Sequence, residues 1–413
     1  MDNFWNGSFT VTDFLSKLFG QKLSARVSCK TLLALSLTTT IGIAQAGKPV
    51  PYTYSSVGNP AVAPSVSAQP YPSYVLMGGG PDVDEAFRWM IRQAGIKPGT
   101  GGRLVVIRAT GDGAYNPYIY YSSAASSTAS TDIVDGWVGG ASLGLTSVET
   151  LVVPSIAAAN DAFVNAVVGR ANAVWIAGGD QSDYIKFWKG QALERTLSTL
   201  MNNNVPVGGT SAGLAVLGQF DFAALSGTVT SAQAMSNPYN KYMTLDPAPL
   251  STSGGFIAPP ALANTILDSH VDTRDRLGRL VTFVSRLVAN YPGSGSQQFG
   301  CTDGVLGNHA AKGIGVSVES ALLVNWDPVN AHYTGRRVTN NPAPASDAAV
   351  YFVNVTQGPT LCASGKPLTV GASSVQIRKL ADSGTTINLS DWSAFPVHRS
   401  VGVSAGVMSP DPY

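Results

Sequence analysis

The sequence predicts an α/β fold, a doubly wound and mostly parallel sheet, followed by a β-rich C-terminal extension. Three observations carry this prediction. Short apolar runs recur, each closed by glycine: Tyr74-Val75-Leu76-Met77 before Gly78-Gly79-Gly80, Leu104-Val105-Val106-Ile107 before Thr110-Gly111-Asp112-Gly113, Ala173-Val174-Trp175-Ile176-Ala177 before Gly178-Gly179-Asp180-Gln181, and Val205-Pro206-Val207 before Gly208-Gly209. Apolar runs without polar alternation suit strands covered on both faces. Between them lie stretches with helical spacing: Val83, Phe87, Met90 and Ile91, then residues 158–168, then Tyr184, Phe187 and Trp188 continuing through Leu193, Leu197 and Leu200. Strand, loop and helix in succession make βαβ units, whose loops open together at the carboxyl ends of the strands. Beyond residue 330 the chain is instead β-prone and rich in Thr, Ser and Val.

Taken in order, the chain divides into four segments. Residues 1–46 read as a leader and signal sequence: Arg26 and Lys30 precede an apolar run from Leu32 to Ile43, closed by Ala44-Gln45-Ala46. The run is too short to span a bilayer, so the mature chain is expected outside the cell or in the periplasm, with no membrane partner. Residues 47–73 carry Pro, Ser, Ala and Tyr without periodicity and read as an N-terminal arm. Residues 74–325 hold the α/β domain, and residues 326–413 form the extension packed on it. A Ser/Ala/Thr tract over 122–131 reads as a loop.

Composition narrows the partners. Charged residues make up 12% of the chain and the net charge is +1, which gives no electrostatic reason to expect nucleic acid. Of three cysteines, Cys29 leaves with the signal, and Cys301 and Cys362 remain as an even pair suited to one disulfide. No zinc-like spacing surrounds them, so no metal is expected. Positions 78–83 do not complete G-x-G-x-x-G, so the triple glycine is a weak nucleotide signal, and no cofactor is expected.

The chemistry gathers at Gly209-Thr210-Ser211-Ala212-Gly213. This G-x-S-x-G pattern, with a strand before it and a small-residue helix after it, is an elbow that exposes the serine Oγ at the sheet edge. A serine needs a base, and the chain has four histidines: His270, His309, His332 and His398. His270 stands in the densest charge of the chain, Asp268-Ser269-His270-Val271-Asp272-Thr273-Arg274-Asp275-Arg276-Leu277-Gly278-Arg279. Asp268, Asp272 and Glu319 are candidates for the carboxylate that orients it. Were 272–279 helical, Asp272 with Arg276 and Asp275 with Arg279 would stand at i,i+4 as surface pairs. The alternative use of three arginines beside a histidine is to grip carboxylates.

These residues resemble a known family. Gly178-Gly179-Asp180-Gln181, Gly209-Thr210-Ser211-Ala212-Gly213, and Asp268-x-His270 with Arg274, Arg276, Gly278 and Arg279 are similar to the three signature segments of the cyanophycinase and dipeptidase E family of serine peptidases. The likeness covers most of residues 74–325, and the leader and extension resemble the extracellular cyanophycinases of bacteria. It implies a fold like the class I glutamine amidotransferases. It also implies exopeptidase action on cyanophycin, multi-L-arginyl-poly-L-aspartate, with release of β-Asp-Arg dipeptides. On this resemblance Ser211 is the nucleophile, His270 the base and Glu319 the orienting acid. Gln181, Asp268, Arg274, Arg276 and Arg279 line the substrate pocket, and the backbone N–H groups of Gly179 and Ala212 form the oxyanion hole. A homodimer is compatible with it.

Two departures keep alternatives open. Ser269 and Val271 differ from the family's Gln and Phe around the histidine, which admits a dipeptidase for Asp-X peptides or a non-catalytic binding relative. Glu319 stands one place later than the family's acid, and on a continuous strand one place reverses the face, so Glu319 would need a bulge.

Overall fold

The computed structural model describes residues 49–123, 136–248, 254–340 and 347–413. The leader and signal sequence expected over 1–46, and most of the 122–131 tract, lie outside these residues.

The strands in chain order are β1 (Thr53–Gly58), β2 (Ser73–Met77), β3 (Arg103–Arg108), β4 (Ser147–Val152), β5 (Ala173–Ile176), β6 (Val207–Thr210), β7 (Asp221–Phe222), β8 (Leu245–Asp246), β9 (Thr265–Ser269), β10 (Tyr291–Pro292), β11 (Gln298–Phe299), β12 (Lys312–Val316), β13 (Ala321–Asp327), β14 (His332–Val338), β15 (Val350–Val355), β16 (Val370–Leu380), β17 (Thr386–Asn388), β18 (Arg399–Ser404) and β19 (Val407–Ser409). The principal sheet runs β1-β4-β3-β5-β6-β2-β13-β14-β17. Its centre, β4-β3-β5-β6-β2, is parallel throughout, as the repeated strand–glycine–helix pattern predicts.

The winding on both faces follows from alternation along each strand. Val75, Met77, Leu104, Val106 and Trp175 point to one face, where Phe87, Met90 and Ile91 of helix Asp84–Gln93 meet them. Tyr74, Leu76, Val105, Ile107, Val174 and Ile176 point to the other, against Val164 and Val168 of helix Ala162–Gly169 and Leu193 and Leu197 of helix Ala192–Asn202. Two stretches that read as single helices are pairs. The first breaks at Asn160 and Asp161, the Asp161 carboxylate capping the new start through Phe163 N–H at 2.8 Å. The second breaks at Lys189 and Gly190, where Gly190 takes a φ of 76° that favours glycine.

A second sheet, β19-β18-β16-β15-β12-β9, lies beyond the first, with only β9 and β12 parallel. Helix Leu277–Leu287 packs on it at Gly313 and Gly315. A Cβ at Gly313 would stand 2.6 Å from Val284 Cγ2, and one at Gly315 would stand 2.9 Å from Leu280 Cδ2, so the missing side chains are what admit the helix.

Two expected boundaries do not hold. The arm over 47–73 contains β1, which pairs antiparallel with β4 and is pinned by the Tyr54 hydroxyl donating to the buried Glu149 carboxylate at 2.8 Å. The division at 325/326 falls inside β13. Hairpin β13–β14 extends the principal sheet through β2, while β15, β16, β18 and β19 complete the second sheet, so the extension is interleaved with the α/β half. Residues 49–413 accordingly cluster as one unit. Within it Cys301 and Cys362 form a disulfide.

Candidate active site

Strand β6 ends at Thr210, and Ser211 turns the chain into helix Ala212–Ala215 with φ 53° and ψ −114°, a combination that a residue with a side chain rarely holds. The glycines around it are obligatory by contact. A Cβ at Gly209 would lie 2.4 Å from the Gly213 carbonyl oxygen, and one at Gly213 would lie 2.0 Å from that of Ile176. The Ser211 N–H donates to Met77 O at 3.1 Å, tying the elbow to β2.

His270 follows β9, the edge strand of the second sheet, at φ 49°. Its N–H donates to Gly78 O at 2.9 Å. Its ring lies over Gly79, where a Cβ would come within 2.3 Å of Cε1, and Gly79 itself takes φ 139°. The triple glycine after β2 is thus the seat of the histidine, a use that the sequence signalled only as glycine-rich. From that seat Nε2 stands 2.8 Å from Ser211 Oγ. The two sheets meet here, one supplying the serine and the other the histidine.

Burial, then the positive charges of Arg274 and Arg276, hold the His270 pKa down to about 4, against the pull of Asp268. The imidazole is therefore neutral at pH 7, with Nε2 free to accept a proton when Nδ1 carries the other. Beside the serine, a Cβ on Gly178 would lie 3.4 Å from Ser211 Cβ. Ala212 follows the serine directly as the first residue of its helix, and Gly179 follows Gly178 in the loop after β5.

The three carboxylates differ sharply. Asp268 is 2% exposed and committed to Arg279, accepting from Nε at 2.7 Å and Nη2 at 2.6 Å. Asp272 accepts the Val318 N–H through Oδ1 at 3.1 Å. Glu319 lies past the end of β12, at φ 56°, and its N–H donates to Gly79 O at 3.3 Å. Strand parity therefore does not govern it: the strand stops at Val316, and the left-handed turn replaces the bulge expected from sequence. Its backbone and the His270 ring share Gly79.

A cavity of about 260 Å³ is lined by Gly179, Asp180, Gln181, Thr228, Arg274 and Arg276 among others, joining the glycine loop after β5 to the turn that follows His270. Of the residues expected to line it, Gln181, Arg274 and Arg276 do. Asp268 and Arg279 do not, because Arg279 is 2% exposed and its guanidinium is used up by Asp268, Thr228 Oγ1 at 3.1 Å and Val229 O at 3.1 Å. They form a buried foundation under the pocket. Arg276 spans both layers, lining the cavity while donating to Ser269 O at 2.9 Å and standing 3.7 Å from Asp268, and burial lowers its pKa to about 10. The i,i+4 pairs do not form, since the helix begins only at Leu277. Neither Asp180, quoted only within its glycine-rich segment, nor Thr228 was assigned to the pocket from the sequence; Asp180 is exposed and caps helix Gln181–Trp188 through Ser182 N–H at 2.9 Å.

Beneath the elbow lies Asp82, 2% exposed. It accepts from the Tyr115 hydroxyl at 2.6 Å and the Thr210 hydroxyl at 3.4 Å, and burial raises its pKa to about 6.

No family model matches the chain, and no curated protein does. Among solved structures, a peptidase from an acI-B1 Actinobacterium overlays with a TM-score of 0.40 at 16% identity, over 77% of this chain and 97% of that one. A protein from Listeria monocytogenes EGD-e, provisionally assigned as peptidase E, overlays with a TM-score of 0.36 at 12% identity, over 65% of this chain and 100% of that one. Overlap this loose assigns neither fold nor activity.

Proposed function

We propose that the protein is an exported serine exopeptidase that hydrolyses cyanophycin to β-Asp-Arg dipeptides. The observation that carries the reading is the 2.8 Å approach of Ser211 Oγ to His270 Nε2 at a strained strand-to-helix turn.

In the reaction, Ser211 Oγ attacks the scissile carbonyl carbon as His270 Nε2 takes its proton. The oxyanion is held by the N–H groups of Gly179 and Ala212. As the C–N bond breaks, His270 returns the proton to the departing amine, leaving an ester on Ser211. Water then attacks the ester, His270 takes the water proton and passes it to Oγ, and the acid product departs. Glu319, across Gly79 from the imidazole, is the carboxylate assigned to the Nδ1 proton.

The pocket supports the substrate class by charge. Arg274 and Arg276 offer guanidinium forks to aspartate carboxylates, and the Asp180 carboxylate suits an arginine side chain of the substrate. A polymer too large to enter a cell also gives the leader over 1–46 its purpose.

The test incubates the mature chain with a cyanophycin suspension and, separately, with α-linked Asp-X dipeptides. Clearing of the suspension with β-Asp-Arg release, abolished by Ser211→Ala, is expected. Turnover of the small peptides alone would instead make the protein a dipeptidase. Binding of the polymer without cleavage would make it a non-catalytic relative.

A further inference from the structure

The turn that carries His270, Arg274 and Arg276 is held from outside the α/β core, by an aromatic residue 143 positions beyond the histidine. The Tyr413 hydroxyl lies 2.9 Å from Val271 O, 3.2 Å from Asp275 Oδ1 and 3.3 Å from Leu277 N. Its proton goes to Val271 O, the nearer acceptor, and its lone pair takes the Leu277 N–H. One oxygen thereby joins the residue after His270, the last acidic residue of the turn and the first residue of helix Leu277–Leu287.

That connection answers a local deficiency. The helix starts at Leu277, and its N-cap residue, Arg276, makes no side-chain capping bond, so the first N–H groups of the helix need tertiary partners. Tyr413 supplies one for Leu277, and Ser231 Oγ supplies another for Arg279 at 3.1 Å. Val271 O also accepts the Arg276 N–H at 2.9 Å, so the same carbonyl fixes the pocket arginine and the histidine's neighbour. The Tyr413 ring is set in turn by Tyr351, edge-on at 5.9 Å, and its backbone by His398, whose Nε2 stands 3.2 Å from the Tyr413 carbonyl oxygen.

We propose that Tyr413 is a positioning residue for the reaction: its hydroxyl fixes the turn over 271–277, so that the imidazole meets Ser211 and the arginines meet the substrate carboxylates. The role rests on the serine peptidase reading above. It gives the β-rich extension a part in the site without contact with substrate.

The test compares wild type, Tyr413→Phe and, as a control that removes a hydroxyl elsewhere in the same cluster, Tyr351→Phe, whose hydroxyl pairs with Asp347. Hydrogen exchange at Leu277 and steady-state hydrolysis of cyanophycin are read together. In Tyr413→Phe, exchange at Leu277 is expected to quicken by about ten-fold or more. Both kcat and KM worsen, and kcat/KM falls by about ten-fold, because histidine and arginines loosen together. Tyr351→Phe leaves kcat and KM at the wild-type values. Unchanged exchange in Tyr413→Phe overturns the proposal whatever the activity, and so does faster exchange with unchanged kcat and KM. A wild type that hydrolyses cyanophycin no faster than Ser211→Ala defeats the peptidase reading itself, a distinct result in which Leu277 exchange still responds and the positioning role falls with the reaction.

Discussion

His270 shows how much of a site is decided by what surrounds a residue rather than by the residue. Buried and flanked by Arg274 and Arg276, it holds its proton weakly, with a pKa of about 4. The base is in its active, neutral form above that value, so activity is lost only as pH falls through about 4. The acid limb of kcat/KM should have its midpoint nearer 4 than the 6.5 of an unperturbed imidazole, and a pH–rate profile measures it. Gly79 is equally constrained. At φ 139°, with the His270 ring where a Cβ would stand, Gly79→Ala must displace the ring, and a fall in kcat of about 100-fold is expected with the fold retained by circular dichroism. Asp82 titrates the other way. Its carboxyl holds a proton more tightly in the fold than the ordinary 3.8, so its contribution to stability is full below about pH 4 and lost as pH rises through about 6. Asp82→Asn should flatten the change in unfolding free energy between pH 4 and pH 7, measured by urea titration.

At the scale of elements, the sequence was most readable where geometry is forced locally. A strand, two glycines, a serine and a small-residue helix can fold in few ways, and the elbow at Ser211 is where the pattern puts it. The histidine was legible as the one imidazole amid dense charge. The disposition of that charge was not, because spacing alone cannot separate a helical pair from a tertiary one. Asp268 and Arg279 turned out to be a buried bidentate pair, and the strand-parity objection to Glu319 does not apply, because β12 stops at Val316, a stop that no residue pattern announces. The buried pair makes a firm prediction of its own. Asp268→Ala would strand the Arg279 guanidinium, 2% exposed, and should cost about 3–5 kcal/mol of unfolding free energy by denaturant titration.

Across the whole molecule, the site exists because two sheets abut, and that junction depends on pairings between distant parts of the chain. Strand β1 reads as an arm and β14–β19 read as an appendage because no local pattern announces a partner a hundred residues away. Once β13 joins β2 and β15 joins β12, the extension becomes the support of the strand that presents His270. The disulfide closes this half, joining residues 61 positions apart beside helix Leu277–Leu287, with Cys301 Sγ 3.2 Å from Ser285 O. By loop-closure entropy such a link contributes about 4 kcal/mol, so Cys301→Ser with Cys362→Ser should lower the unfolding free energy by roughly that amount.

The central claim, that Ser211 and His270 act as one unit, is tested most directly by measuring cyanophycin hydrolysis in Ser211→Ala, His270→Ala and the double variant. The account predicts that each single change lowers kcat by roughly 10⁴-fold or more and that combining them lowers it no further. Single variants that stay within ten-fold of wild type, or losses that multiply in the double variant, would contradict it.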